Sequence, residues 1–336
     1  MSAPLLELRH LSKTFQPRQD AVARLLAKLS RQPAPHAVHA VNDVSLSIQT
    51  GQVLGIVGES GCGKSTLARM AAQLLAPTSG TVLYDGQDVA TMDGPARRRT
   101  TLDIQMVFQN PYASLNPRKR VGDLIMEAPL VHGLTAPRDR HTRLAELLGK
   151  VGLDMAAARR YPHQFSGGQR QRISIARALA VRPRLLICDE AVAALDVSIQ
   201  AQILNLLQDL RSQEGLTYLF ISHDLGVVHH LCDEVVIMYL GRVVEQAPTE
   251  RLFAEPRHPY TQALLDAVPT LGTGKREYPA LYGELPSPLA PPSGCHFHPR
   301  CPQAMPRCKT EVPVYREVAP GHRAACHLND MAPTAS

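Results

Sequence analysis

The sequence predicts an α/β fold: a largely parallel sheet, an inserted helical subdomain and an irregular Cys- and Pro-rich C-terminal appendage. Three observations predict it. Over residues 1–268, short apolar runs alternate with stretches of helical spacing, the pattern of a parallel sheet flanked by helices. The segment from about 110 to 165 carries helical spacing and no strand pattern. From Pro269 the composition changes: 12 of the 27 prolines and four of the seven cysteines fall in residues 269–336.

Each element can be justified in order. Leu5–Arg9 alternates and reads as an edge strand. A small insertion at 16–38 places Val22, Leu25, Leu26 and Leu29 on one helical face, with Arg24, Lys28 and Arg31 around it. A surface helix or loop is expected there, with membrane-surface contact as the alternative. Val41–Ile48 alternates as a strand does. Gln52–Val57 is a short apolar run ending in a Gly-rich turn, and Thr66–Leu75 has helical spacing. Leu124, Ile125, Leu144, Leu147, Leu148 and Val151 give the 110–165 subdomain its apolar helical positions. Leu185–Cys188, Leu219–Ile221 and Val235–Met238 are almost wholly apolar, as buried central strands should be. Residues 199–213 form an amphipathic helix through Ile199, Ile203, Leu206, Leu207 and Leu210. The tail from 269 is too rich in proline for helices or central strands and is expected to need a staple.

Composition removes several functions. Apolar residues make up 44% and charged residues 20% of the 336, which excludes wholesale disorder. Aromatics are 4% with no Trp, which argues against a base-stacking platform. No run of 18 apolar residues occurs, and the N-terminus lacks a signal-peptide core. A cytosolic chain is expected, any membrane role coming through a partner. The net charge of +6 suits an anionic ligand without choosing one. Seven cysteines are an odd count, so a disulfide framework is not expected.

The strongest motif is Gly58-Glu59-Ser60-Gly61-Cys62-Gly63-Lys64-Ser65-Thr66. It matches the phosphate-binding loop in full and lies between a predicted strand and a predicted helix. Glycines let backbone N–H groups turn inward around an anion, and the following helix points its positive end at it. Lys64 would reach the β/γ-phosphates and Ser65 would ligate Mg²⁺. Cys62 reads as a tolerated small residue. Leu185–Glu190 is an apolar strand ending in two carboxylates, where Asp189 would hold Mg²⁺ and Glu190 would orient or deprotonate the attacking water.

Phe165-Ser166-Gly167-Gly168-Gln169 turns a nucleotide binder into a family member: it resembles the signature of the ABC ATPases. Gln109 in VFQNP resembles the Q-loop, Ala194-Leu195-Asp196 the D-loop and His223 in FISHDL the switch histidine. Phe15 stands where the family's adenine-stacking aromatic is expected. FQNPYASLNPR, MYLGRVVE, HPYTQALL and GELPSP followed by a Cys-rich tail are similar to the ATP-binding subunits of dipeptide/oligopeptide importers. The resemblance covers essentially the whole chain. It departs at Ala191 and Ala193, where the group usually has Pro and Ser; neither position touches phosphate or metal.

The resemblance implies an ATPase at the cytoplasmic face of the cell membrane, powering solute import. Nucleotide contacts fall to Phe15, Gly58, Ser60, Gly61, Gly63, Lys64, Ser65, Thr66, Gln109 and Asp189. Mg²⁺ falls to Ser65, Gln109 and Asp189, and catalysis to Glu190, His223 and Gln109. Ser166 and Gly168 would complete the ATP site of a second, paralogous cassette. Two permease chains and an extracytoplasmic binding protein are the further expected partners. Dipeptides or oligopeptides are the default solutes, with nickel, glutathione or opines as alternatives. DNA-repair ATPases share the loop and signature, but only about a hundred residues separate Lys64 from Ser166, without sustained heptads, and +6 is modest for a DNA clamp. No nucleic acid partner is expected.

Cys295, Cys301, Cys308 and Cys326 follow the spacing C-x₅-C-x₆-C-x₁₇-C. No C-x₂-C knuckle occurs, which weakens zinc, and the run is not ferredoxin-like. The resemblance implies a structural 4Fe–4S cluster, well away from Lys64; zinc and an unmetallated tail remain the alternatives. Cys188 and Cys232, in apolar surroundings, read as core residues.

Overall fold

The computed structural model describes residues 3–16, 37–267, 284 and 286–331. The insertion face from Val22 to Leu29 lies outside the described residues.

The chain opens with β1 (Leu6–Phe15), β2 (Val38–Ile48), β3 (Val53–Val57) and α1 (Lys64–Ala71). Next come β4 (Ser79–Tyr84), β5 (Gln87–Asp88), α2 (Gly94–Asp103) and β6 (Ile104–Val107). A helical stretch follows: α3 (Pro111–Ser114), α4 (Val121–Val131), α5 (Arg140–Lys150) and α6 (Gly167–Leu179). The chain returns to the sheet through β7 (Leu185–Asp189), α7 (Val197–Glu214), β8 (Thr217–Ile221), α8 (Leu225–Leu231), β9 (Glu234–Tyr239) and β10 (Arg242–Pro248). Helices α9 (Thr249–Ala254) and α10 (Pro259–Asp266) precede the tail, which adds β11 (Arg316–Ala319) and β12 (His322–Ala324).

Two sheets result, ordered β2-β1-β4-β5 and β11-β12-β10-β9-β3-β8-β7-β6. The larger one is parallel from β9 to β6. Its strands are apolar without alternation because both faces are covered, and the period of two then sorts side chains between two cores. Val53, Leu186, Cys188, Tyr218, Phe220, Val235 and Ile237 join the helical side. Leu54, Ile56, Leu185, Ile187, Leu219, Ile221 and Val236 meet α1 and the smaller sheet.

The predicted strands and helices recur with boundaries a few residues apart. One placement differs. The Leu5–Arg9 strand is not an edge: β1 lies between β2 and β4, hydrogen-bonded to both. Alternation reports one wet face and one dry face, which an interior antiparallel strand has as readily as an edge strand.

The tail is less irregular than its composition suggests. Its two short strands extend the sheet edge through Glu245↔Ala324 and Gln246↔Arg323, where prolines are tolerated. Phe297, 1% exposed, packs edge-on to Tyr239 with ring centroids 5.3 Å apart. A fully buried polar cluster fastens the same region. Glu245 accepts the backbone N–H groups of Arg257 at 2.6 Å and His258 at 3.0 Å, and its Oε1 lies 2.7 Å from His322 Nε2.

His258 Nδ1 accepts the Tyr260 N–H at 3.0 Å, capping α10. Burial pushes this imidazole down to about 4, with the Glu245 charge pulling back the other way. The folded state therefore favours neutral His258, and its stabilisation is full above the ordinary histidine value near 6.5. It is lost as pH falls from there towards 4, at up to about 1.4 kcal/mol per pH unit for this group. Thermal melts between pH 7 and 4.5 should show a falling Tm. His258→Asn, which keeps a capping acceptor but cannot titrate, should flatten that fall; an unchanged slope would contradict the assignment.

Candidate functional site

Parallel strands bring their carboxyl ends to one edge of a sheet, and the loops leaving them share that edge. Four neighbouring strands do so here. β3 runs into the Gly58–Ser65 loop, β8 into Ser222 and His223, β7 ends in Asp189 and β6 leads to Gln109. Side chains separated by more than 120 residues in sequence thus meet.

The loop packs closely against β2. Gly63 has φ +106°, and a Cβ there would lie 2.1 Å from the Ala40 carbonyl oxygen, so only glycine fits. Lys64, 4% exposed, folds back and donates from Nζ to the carbonyls of Gly58 at 2.7 Å and Glu59 at 3.0 Å. Ser60 and Gly61 are exposed at the tip. Cys62 is buried, and burial pushes its thiol up although Lys64 opposes the shift.

Ser65 Oγ donates to Asp189 Oδ1 at 2.8 Å. Burial raises the Asp189 carboxyl, with neighbouring Glu190 adding to the shift and Ser65, Arg69 and Lys64 opposing it. Two hard oxygens beside an undercompensated buried charge suit Mg²⁺, which takes few protein ligands and keeps waters. Glu190 holds a left-handed backbone, φ +49°, and its N–H donates to Ile221 O at 3.0 Å. Its Oε2 accepts from Gln109 Nε2 at 2.6 Å, and its Oε1 lies 3.8 Å from His223 Nδ1. Phe15, 42% exposed at the end of β1, has the Lys13 ammonium 5.5 Å from its ring centroid.

Comparison with known proteins agrees with this geometry. Residues 41–193 match the family described as ABC transporter, and residues 244–308 the oligopeptide/dipeptide transporter C-terminal region. The chain is 50% identical to the oligopeptide transport ATP-binding protein AppF of Bacillus subtilis, over 96% of this chain and 97% of that one. The chain belongs to the ABC transporter ATP-binding family. The di/tripeptide transport ATP-binding protein DppF of Pseudomonas aeruginosa is 48% identical over 86% of this chain and 90% of that one. Among solved structures, a dimeric ATP-binding cassette in a post-hydrolysis state bound to ADP and Pi superposes with TM-score 0.61 at 28% identity. It covers 73% of this chain and 98% of that one. The chain is thus an ABC ATPase cassette. Among its described residues, no helix is long and apolar enough to cross a membrane.

The cassette's signature stands on a separate element. Ser166 caps α6 by accepting the Gln169 N–H at 3.3 Å, and Gln169 Oε1 returns a bond to the Ser166 N–H, a capping box. Ser166 is exposed and Gly168 is buried against α7.

The tail meets the loop. Arg300, one residue before Cys301, grips both carboxylate oxygens of Glu59 at 2.7 and 2.9 Å. The Tyr260 hydroxyl accepts the Glu59 N–H at 2.9 Å. Sequence patterns do not reveal this pair, because 241 residues separate its members. An acid inside a phosphate loop was the one available signal.

Of the four tail thiols, Cys308 is buried and Cys295, Cys301 and Cys326 are half-buried. Burial raises Cys326 to about 12, with the negative charge of Cys295, Cys301 and Cys308 adding to the shift. Cys295 N–H also donates to Cys308 O at 2.8 Å. Yet among the described residues no group of three or more His, Cys, Asp or Glu side chains is arranged to hold a metal ion. Cys188 and Cys232 are buried in the sheet core, as their surroundings suggested.

A Cβ on Gly168 would lie 2.3 Å from Ile199 Cγ2, an atom on a stiff β-branched side chain. Gly168→Ala should cost about 1–3 kcal/mol of stability by overpacking. Adding Ile199→Ala should recover part of the lost Tm; a double variant less stable than Gly168→Ala would refute the contact.

Proposed function

We propose that this cassette binds Mg–ATP at the four strand ends and hydrolyses it to power import of dipeptides or oligopeptides. The supporting observation is the meeting of Lys64, Ser65, Asp189, Glu190, Gln109 and His223 at one sheet edge. Lys64 exchanges the Gly58 and Glu59 carbonyls for β/γ-phosphate oxygens, aided by loop positions Gly58, Ser60, Gly61, Gly63 and Thr66. Phe15 stacks on the base. Ser65, Asp189 and Gln109 hold Mg²⁺, which neutralises phosphate charge. Glu190, held by Gln109, takes the proton of the attacking water, and His223 donates to the γ-phosphate. The peptide solute is inferred from the names of the relatives and the C-terminal family match. Nickel, glutathione or opine import remains the alternative reading.

The exposed Ser166 cap serves a second cassette, inferred to be a paralogue. A γ-phosphate between Lys64 of one and Ser166 and Gly168 of the other holds the pair, and hydrolysis releases it. Two permease chains and an extracytoplasmic solute-binding protein complete the assembly, with this chain peripheral on the cytoplasmic membrane face. Residues 1–268 form the cassette with its helical part at about 110–165, and 269–336 the C-terminal region.

In the assembled transporter, Lys64→Ala should abolish ATP binding or turnover, read by phosphate release. Glu190→Gln should retain ATP yet slow hydrolysis by about 10²-fold or more, the scale of a lost general base. Near-normal turnover in either variant would remove that residue's assigned role.

We further infer a structural 4Fe–4S cluster on Cys295, Cys301, Cys308 and Cys326. Its support is the set of four cysteines in one short tail, with the Cys295 N–H donating to Cys308 O at 2.8 Å. Anaerobic purification followed by iron, sulfide and zinc analysis tests it. Iron with equal sulfide and absorbance near 400 nm is expected; stoichiometric zinc, or four free thiols without metal, would overturn it.

A further inference from the structure

Glu59 sits second in the phosphate loop, and its three functional groups each have a different holder. Its carbonyl accepts from Lys64 Nζ at 3.0 Å and its N–H donates to the Tyr260 hydroxyl at 2.9 Å. Arg300 holds its carboxylate in a two-pronged bond at 2.7 and 2.9 Å. The arginine is not a surface partner: its side chain is 5% exposed, and it also donates to the Tyr239 hydroxyl at 3.4 Å. Tyr239 packs on Tyr260 with centroids 4.7 Å apart, and Phe297 packs on both. The planar guanidinium fixes position as well as charge, because its fork matches the carboxylate in direction.

The residue type poses an electrostatic problem that this geometry solves. A carboxylate within a loop that receives polyphosphate repels its ligand unless neutralised, and repulsion inside a partly buried site is poorly screened. Arg300 supplies that neutralisation and holds the carboxylate towards the tail. With the carboxylate met and held aside, a larger fraction of molecules is ready for phosphate, and apparent affinity scales with that fraction.

We propose that Arg300 is a positioning residue for the phosphate loop, acting through Glu59, so that the C-terminal region sets the affinity of the cassette for ATP. The proposal rests on the phosphate-site reading above and adds a residue outside the cassette motifs. Arg300 acts through Glu59 in the phosphate loop and not through the general base Glu190, so its loss should move KM and Kd rather than kcat.

The test uses the full chain with fluorescent mant-ATP and Mg²⁺, supplemented by ATPase kinetics in the assembled transporter. Arg300→Gln should weaken mant-ATP binding about tenfold, which corresponds to about 1.4 kcal/mol. KM for ATP should rise alongside, with kcat at saturation within about twofold. Arg300→Lys, which keeps the charge without the fork, should fall between. In Glu59→Gln/Arg300→Gln the stranded carboxylate is gone, and affinity should return to within about threefold of wild type. A purely structural arginine would lower Tm without this KM-specific effect or its reversal by Glu59→Gln. If Arg300→Gln misfolds, Arg300→Lys and the double variant carry the test. Wild-type affinity in the Arg300 variants, with Lys64→Ala unable to bind, would overturn this proposal and leave the phosphate site standing. A folded double variant as weak as Arg300→Gln would overturn action through Glu59. Unimpaired mant-ATP binding by Lys64→Ala would overturn the site reading and this proposal together.

Discussion

A buried ammonium must be met by acceptors, and the phosphate loop is organised around that requirement. Lys64 is 4% exposed and spends its hydrogens on two carbonyls of its own loop. Backbone carbonyls are neutral acceptors, so they satisfy the donor geometry while the countercharge comes from farther off, Asp189 being a carboxylate that feels Lys64. An isolated charge in such a place costs far more than a paired one. The proposed phosphate would be favoured by Lys64 and by the N-terminus of α1 together.

The acidic side of the site carries the opposite imbalance. Asp189 is 5% exposed, and its carboxyl is raised by burial first and by Glu190 second. Ser65 reaches across to it, so Lys64 and Asp189 lie by the ends of β3 and β7, with β8 between those strands. A magnesium–polyphosphate complex matches this pattern better than either ion alone. The left-handed backbone at Glu190 belongs to the same arrangement. A non-glycine residue with positive φ costs roughly 1–3 kcal/mol, which surrounding structure must offset. Here the Ile221 carbonyl and the Gln109 amide hold it, and the result is a carboxylate turned out of the strand towards Gln109 and His223.

What could be read beforehand follows the range of the interactions. The phosphate loop, the acidic strand end and the capped signature are local: their chemistry demands fixed spacing within nine residues or fewer, so Lys64, Asp189 and Ser166 stand out in the bare sequence. Central strands were legible because burial on both faces leaves an unbroken apolar run, as at Leu185–Cys188. The position of β1 inside its sheet was not, since strand order is a non-local property that side-chain alternation does not encode. The same holds for the convergence at the carboxyl edge of the sheet. Gln109, Glu190 and His223 could each be nominated, but their meeting depends on β6, β7 and β8 lying side by side. The Arg300–Glu59 pair is the extreme case, joining the first quarter of the chain to its end.

The tail illustrates how a segment poor in its own core becomes ordered. Proline-rich residues cannot bury enough apolar surface among themselves to offset their conformational entropy. This tail draws on the cassette instead: Phe297 enters the aromatic group of Tyr239 and Tyr260, His322 seals Glu245, and β12 continues an existing sheet edge. The aromatic group it joins also supports the phosphate loop: Tyr260 of the cassette holds the Glu59 N–H while Arg300 of the tail holds the Glu59 carboxylate. Coupling of this kind is reciprocal. If tail contacts raise the fraction of loops ready for phosphate, bound phosphate must stabilise the tail by the same free energy. Any ligand or cluster that tightened residues 295–326 would then tighten nucleotide binding, through contacts already present and without a moving part.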